Sequence, residues 1–159
     1  MRDACGEAHI KVILATGECG TMQKVMQASL VCMMAGADFI KTSTGKEGVN
    51  ATFETGFCMV RMLILYFRSF IVLMCLQVRA IRDYFERTNF KVGFKPAGGI
   101  RSAKDALVWL ALMKDELGDE WTQPHLFRMG ASALLNDIER QLYHFVYGRY
   151  AALHQLPIA

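Results

Sequence analysis

The sequence has few histidines and cysteines, and neither type stands in the spacing of a metal site or a disulfide framework. The five cysteines are odd in number and form no C-x-x-C pair, which indicates free thiols in a reducing compartment. The four histidines lie far apart, without an H-x-x-x-H spacing. We therefore expect no bound metal and a location in the cytoplasm. The cysteines are Cys5, Cys19, Cys32, Cys58 and Cys75.

The sequence also lacks a run of charges of one sign. Its 18 basic and 15 acidic side chains give a net charge of +3, and the basic residues are scattered. We therefore expect neither a nucleic acid nor an anionic membrane surface as partner. Because 53% of the 159 residues are hydrophobic and 21% are charged, composition predicts one folded domain rather than a disordered chain.

No uninterrupted apolar run is long enough to cross a membrane. The most apolar block covers about residues 57–78, and it is interrupted by Arg61 and Arg68. A transmembrane helix needs about twenty apolar residues with few charges, and a central arginine costs a few kcal/mol in a bilayer. We favour an insertion within or ahead of an amphipathic helix over a membrane span. Such an insertion exposes apolar surface unless another element covers it.

A nucleotide-binding P-loop is absent as well, although Gly45-Lys46 resembles its end. The Walker A pattern requires a glycine five residues before that glycine, and a serine or threonine after the lysine. The sequence has Ile40 and Glu47 at those positions. Nucleotide binding by this route is therefore excluded.

Four short β-like runs alternate with segments of helical periodicity. The runs cover residues 10–15, 38–42, 91–95 and 126–130. A strand followed by a helix, repeated along the chain, is typical of a parallel sheet with crossover helices. The sequence therefore predicts an α/β fold.

Capping residues mark where the predicted helices begin and end. Thr21 precedes a helix that stops near Gly36, and Ser102 with Asp105 forms a capping box for a helix that Gly118 ends. Ser132 precedes the last helix, whose apolar residues fall on one face at helical spacing. Those residues are Leu135, Ile138, Leu142 and Val146.

Two lysines stand at the ends of two different predicted strands. Lys41 ends one apolar strand and Lys95 ends another. The carboxyl ends of parallel strands form the functional face of α/β folds. Burial and a neighbouring positive charge both lower the pKa of a lysine, and a neutral amine is what Schiff-base chemistry requires. The alternative is that each lysine simply extends into solvent from a strand end.

Three glycine-containing turns follow these strands and lead toward helix starts. Free backbone N–H groups and the helix dipole favour an anion at such places. The alternative is that each glycine only serves a tight turn. The candidate residues are Gly45 and Lys46, Gly98 and Gly99, and Gly130 with Ser132.

These motifs together resemble those of the deoxyribose-phosphate aldolase family. The strongest matches are DFIKTSTGK at residues 38–46 and GFKPAGGIR at residues 93–101. They are supported by KVILATGE at residues 11–18, VNAT at residues 49–52 and FRMGAS at residues 127–132. The resemblance covers nearly the whole chain except the apolar block.

The resemblance implies a fold, a reaction and roles for the candidate residues. The family forms (β/α)₈ TIM barrels and consists of class I aldolases that use neither metal nor organic cofactor. They reversibly cleave 2-deoxy-D-ribose 5-phosphate to acetaldehyde and D-glyceraldehyde 3-phosphate in deoxyribose phosphate catabolism. By motif, Lys41 is the Schiff-base nucleophile and Lys95 the lysine that perturbs its pKa. The six residues of the glycine turns are the phosphate-binding set.

The sequence also departs from the family pattern. A complete barrel takes about 250 residues, whereas this chain has 159 and matches roughly the last four βα units. We expect residues 1–159 to form a single incomplete barrel domain with an atypical apolar insertion at about 57–78. No segment matches the acidic residue that the family uses in proton transfer on its fourth strand. The alternative is therefore a truncated, weakly active or inactive isoform that acts through protein contacts and oligomerises through exposed barrel edges.

Overall fold

The computed structural model describes residues 1–44, 75–131 and 133–156. The strands are β1 (Lys11–Ile13), β2 (Phe39–Lys41) and β3 (Gly93–Lys95). The helices are α1 (Arg2–Cys5), α2 (Met22–Met34), α3 (Cys75–Thr88), α4 (Ala103–Leu117) and α5 (Leu134–Tyr147). Short 3₁₀ turns cover Thr16–Glu18, Asp119–Thr122 and Leu153–Gln155.

The three strands form one parallel sheet in the order β1-β2-β3. Ile13 pairs with Lys41, and Lys41 pairs with Lys95. The predicted α/β fold with a parallel sheet is therefore confirmed, although each strand is shorter than the apolar run that predicted it.

The fourth predicted strand, residues 126–130, is not a regular strand, and this prediction is wrong in that respect. The segment makes two isolated parallel bridges, Phe94 to Phe127 and Ala97 to Gly130. Between them stands Pro96, which has no N–H to donate to a ladder. Its carbonyl still accepts from the N–H of Gly130 at 2.8 Å. The pairing is therefore interrupted at the proline and resumes beyond it.

The predicted N-caps of α2 and α4 are confirmed. The hydroxyl of Thr21 accepts from the N–H of Lys24 at 3.3 Å at the start of α2. Ser102 and Asp105 form the predicted capping box of α4, which ends at Gly118 with φ 89°. These residues satisfy N–H groups that the first turn of a helix leaves without partners.

Helix α5 differs from the prediction at its start and along its apolar face. It begins after Ala133, which provides no side-chain cap, and Ser132 lies outside the described residues. Ile138 packs against the core, but Leu142 is 60% exposed and Val146 is 67% exposed. The helix is thus amphipathic as predicted, yet most of its apolar face is accessible in the chain alone.

The core lies between the sheet and helices α2, α3 and α4. Ile40 of β2 and Phe94 of β3 point into it, together with Trp109 and Met113 of α4. Trp121 completes this layer, with its indole N–H donating to the carbonyl of Val92 at 3.1 Å.

The end of the predicted insertion belongs to this core. Helix α3 begins at Cys75, and Val78 is fully buried in the core cluster. The last residues of the apolar block, 75–78, therefore belong to helix α3. Residues 57–74 lie outside the described residues. None of the helices in the described ranges is long and apolar enough to cross a membrane.

Candidate active site

The two predicted lysines lie side by side at the carboxyl edge of the sheet. Lys41 and Lys95 are register partners on neighbouring parallel strands, which are about 4.8 Å apart. Because side chains alternate along a strand, the burial of Ile40 and Phe94 in the core directs both lysines to the opposite face. The structure therefore brings the two lysines together, as the strand-end argument predicted.

The electrostatic environment lowers the pKa of Lys95. Burial is the largest cause of this lowered pKa, followed by the positive charges of Lys11 and Lys41, with a further contribution from Arg128. Lys41 itself is only 9% exposed, which argues against the alternative that it extends freely into solvent.

Lys11 is a third lysine at this site, and it was not among the residues predicted for it. It is located on β1, two residues before Ile13, which pairs with Lys41. The strand period of two therefore places Lys11 on the same face as Lys41 and Lys95. That alternation was the signal that would have found it.

A fourth cation, Arg128, lies near the same face. Its guanidinium carbon is 4.7 Å from the centroid of the Phe39 ring, which is cation–π geometry. The Phe39 ring in turn covers Gly93, where an added Cβ would overlap the ring atoms. The face thus combines several positive charges with a buried aromatic floor, an environment that suits an anionic ligand.

The turn after β3 contains two consecutive glycines in a conformation that other residues rarely adopt. Gly98 has φ 92° and Gly99 has φ 79°. The N–H of Gly98 approaches the carbonyl of Gly130 at 3.4 Å. A Cβ added at Gly130 would lie 3.3 Å from Cε of Lys95. Three of the predicted phosphate-binding glycines therefore lie close to Lys95.

The start of α4 does not offer the free N–H groups that we expected for an anion. The N–H of Ala103 donates to the carboxylate of Asp137 at 2.7 Å. The N–H of Asp105 donates to the hydroxyl of Ser102 at 3.1 Å. For these two groups the expectation is wrong, because carboxylate and hydroxyl oxygens of the chain already occupy them. Two of the N–H groups at the start of α4 are therefore not available to an anion.

Two hydroxyls join the turn after β2 to the turn after β3. The hydroxyl of Thr42 donates to the carbonyl of Ala97 at 3.1 Å and accepts from the N–H of Ala97 at 3.0 Å. The hydroxyl of Ser43 donates to the same carbonyl at 2.7 Å. Both residues belong to the DFIKTSTGK motif, but the motif by itself does not indicate this contact.

The remaining predicted site residues lie outside the described residues, and they are Gly45, Lys46 and Ser132. Among the residues that are described, no group of three or more His, Cys, Asp or Glu side chains could hold a metal ion. What is placed is a pair of adjacent amines beside a glycine-lined turn, and this arrangement suits attack on a carbonyl compound that carries an anionic group.

Comparison with known proteins agrees with this chemistry. Residues 1–63 match the family described as DeoC/LacD family aldolase. The chain is 61% identical over 158 residues to deoxyribose-phosphate aldolase of Homo sapiens, covering 99% of this chain and 44% of that protein. The same identity and coverage hold for the deoxyribose-phosphate aldolase of Mus musculus.

A solved structure supports the fold. It is the apo form of a protein from Toxoplasma gondii ME49, provisionally named a deoxyribose-phosphate aldolase. The likeness has a TM-score of 0.67 at 24% identity, over 87% of this chain and 47% of that one. The chain thus spans less than half the length of the curated relatives it matches, and by sequence it resembles aldolases of the DeoC/LacD family, whose model matches residues 1–63.

Proposed function

We propose that this chain carries the Schiff-base centre of a deoxyribose-phosphate aldolase. The reaction is the reversible cleavage of 2-deoxy-D-ribose 5-phosphate to acetaldehyde and D-glyceraldehyde 3-phosphate. The observation that carries the proposal is the register pairing of Lys41 with Lys95 at the carboxyl edge of the sheet. The names of the human and mouse relatives supply the reaction.

In this mechanism Lys41 is the nucleophile and Lys95 is its neighbouring base. A lysine must lose a proton before its amine can attack a carbonyl. Because the pKa of Lys95 is lowered, its unprotonated form is more abundant near neutral pH than that of an ordinary lysine. Lys95 can therefore accept the proton that Lys41 releases.

The substrate phosphate is assigned to the glycine turns. Gly98 and Gly99 provide backbone without side chains, and Gly130 borders the same space. By family motif, Gly45, Lys46 and Ser132 complete the set. Positive charge from Lys11 and Arg128 on the same side of the sheet supports the binding of a dianion there.

We infer that residues 1–159 form one incomplete barrel domain, equivalent to the last four βα units of a TIM barrel. The parallel sheet and the bridged segment at residues 126–130 supply strand material for four units. The share of the Toxoplasma gondii chain that is matched, 47%, fits half a barrel. We further propose a cytoplasmic location, because Cys5, Cys19 and Cys32 are free thiols.

A second candidate function is contact with another half-barrel. Within the described residues, β1 pairs on one side only, with β2, and the apolar face of α5 is exposed. An unpaired strand edge is a template for pairing with another chain. Molar mass in solution, measured alone and with a separately produced N-terminal half of a full-length relative, tests this candidate.

Borohydride trapping tests the main proposal. The folded chain is incubated with 2-deoxy-D-ribose 5-phosphate, reduced, and mapped by peptide mass. We expect an adduct on Lys41 that disappears in Lys41→Met and persists in Lys24→Met, an exposed lysine of α2. An adduct spread over exposed lysines, or no adduct in a folded preparation, would contradict the proposal.

A further inference from the structure

We propose that the hydroxyls of Thr42 and Ser43 are positioning groups that hold the Ala97 turn against the end of the Lys41 strand. This inference rests on the proposed function and deepens it, since it assigns residues that set the geometry between the amines and the glycine turn. Neither residue is proposed to touch the reacting atoms.

The need for such groups arises where the backbone ladder between β2 and β3 fails. The last register pair is Lys41 with Lys95, and the next contact, from the N–H of Thr42 to the carbonyl of Lys95, is stretched to 3.4 Å. Ala97, the next residue whose backbone faces β2, gives its N–H to the hydroxyl of Thr42 at 3.0 Å rather than to a backbone carbonyl. Beyond Lys95, backbone pairing between the two strands therefore does not hold the turn.

Side chains of the β2 side take over at this point. Thr42 bonds both backbone groups of Ala97, donating to its carbonyl at 3.1 Å and accepting from its N–H at 3.0 Å. Ser43 adds a third bond, to the same carbonyl, at 2.7 Å. A hydroxyl can donate and accept at once, so one side chain replaces a missing pair of ladder bonds.

Burial makes these bonds decisive for the turn. Thr42 is 5% exposed, Ser43 is fully buried and Ala97 is 2% exposed. Water has little access to these groups, so a backbone group of Ala97 that lost its partner would remain unsatisfied. The turn would then shift to find another partner.

The hydrogen bonds from Thr42 and Ser43 to Ala97, here called the clamp, lie next to the candidate active site. Thr42 directly follows Lys41, while Ala97 stands between Lys95 and the Gly98–Gly99 turn. A shift of Ala97 therefore moves the second lysine and the glycine turn together, relative to Lys41. Displacements of about 1 Å at positions that orient reacting groups cost up to about 100-fold in rate.

The experiment compares Thr42→Val, which keeps the shape and removes the hydroxyl, with Thr42→Ser, which restores it. Thr88→Val is the matched control. The hydroxyl of Thr88 also donates to a carbonyl, that of Tyr84 at 2.7 Å, and accepts from an N–H, that of Phe90 at 3.2 Å. It does so at the end of α3, at an exposed position before β3 begins. Ser43→Ala removes a single bond and serves if Thr42→Val does not fold.

Two readouts are taken on each variant, beside the melting temperature. The first readout is the pH at which Lys95 becomes reactive to an acylating label in the absence of substrate. Peptide mass spectrometry measures this labelling. The second is the yield of borohydride-trapped adduct with 2-deoxy-D-ribose 5-phosphate. We expect the labelling of Lys95 in Thr42→Val to begin at a higher pH, because the shifted turn takes Lys95 away from the positive charges of Lys11 and Lys41. We also expect the yield of trapped adduct to fall by about 10- to 100-fold. Thr42→Ser should restore both, and Thr88→Val should change neither.

The outcomes separate this proposal from the proposed function. Equal losses of melting temperature in Thr42→Val and Thr88→Val, with an unchanged Lys95 profile in both, would overturn the positioning role. If the unmodified chain forms no adduct, the aldolase proposal fails. The pH dependence of Lys95 labelling still tests whether Thr42 and Ser43 position the Ala97 turn.

Discussion

The backbone N–H of Ala103, at the start of α4, donates to the carboxylate of Asp137 in α5 at 2.7 Å. A side chain from one helix thereby caps the N-terminus of another. The contact joins the element after the Gly98–Gly99 turn to the element after Gly130. Because it neutralises part of the positive end of the α4 dipole, it also reserves that end for the protein itself rather than for a ligand.

Replacing Asp137 by alanine should destabilise the chain by about 1 kcal/mol, the usual cost of losing a helix cap. Urea denaturation of Asp137→Ala and of the unmodified chain measures this difference in the free energy of unfolding. Asp115→Ala, at an exposed position of α4, is the control and should have a smaller effect. Equal effects of the two substitutions would show that the interhelical cap contributes nothing.

Removing the charge of Lys11 should raise the pKa of Lys95. Burial is the first cause of the lowered pKa of Lys95 and would persist in Lys11→Met, but the contribution of Lys11 would be lost. Labelling of Lys95 at a series of pH values should therefore show a midpoint at higher pH than in the unmodified chain. Lys24→Met, a change on the exposed side of α2, should leave the midpoint where it is.

A second lysine supplies an internal reference for that measurement. A hydrogen bond and the charge of Asp119 raise the pKa of Lys114. Lys95 should therefore become reactive at a lower pH than Lys114 in the same sample. The reverse order would contradict the electrostatic description of the site.

Asp38 should make the stability of the chain sensitive to acid. Burial works to raise the pKa of Asp38, but hydrogen bonds from the N–H of Ile10 and from Arg2, together with the charge of Arg2, outweigh it and lower the pKa. A carboxyl whose pKa is lower in the folded state stabilises the protein above its unfolded pKa, and this contribution disappears as pH falls through the folded value. As the pH is lowered from about 5 to about 2, the urea concentration at the midpoint of unfolding should fall less steeply in Asp38→Asn than in the unmodified chain. Identical slopes would refute the role of Asp38.

Gly93→Ala should destabilise the chain by about 1–3 kcal/mol, the range for overpacking a core. The reason is steric, because a Cβ at residue 93 overlaps the ring of Phe39. Free energies of unfolding should show that Phe39→Leu, combined with Gly93→Ala, recovers part of the loss. Simple additivity of the two substitutions would mean that the ring and the added methyl group do not collide.

Leu142→Gln should change the free energy of unfolding by no more than about 0.5 kcal/mol, as is usual at an exposed position. Leu142 is 60% exposed although it lies on the apolar face of α5. Trp109→Ala, in the buried core, should cost about 3–5 kcal/mol in the same assay. A large loss in Leu142→Gln would show that the α5 face is covered in solution, and the molar mass would show whether a second copy covers it.

Local signals in the sequence determined where α2 and α4 begin. Thr21 caps the N–H of Lys24, and Ser102 caps that of Asp105, each across three residues. Such contacts join residues three positions apart in the chain, so they do not depend on which other segments pack nearby.

The sequence by itself thus determined the α/β pattern, the helix caps and the two lysines at strand ends. Tertiary structure alone decided that Asp137 caps Ala103 from 34 residues away and that Thr42 holds Ala97 from 55 residues away. It also decided that Pro96 interrupts the fourth strand and that Leu142 stays exposed. The physical reason is that these features depend on which segments become neighbours in space, and residue type and spacing along one segment carry no record of that.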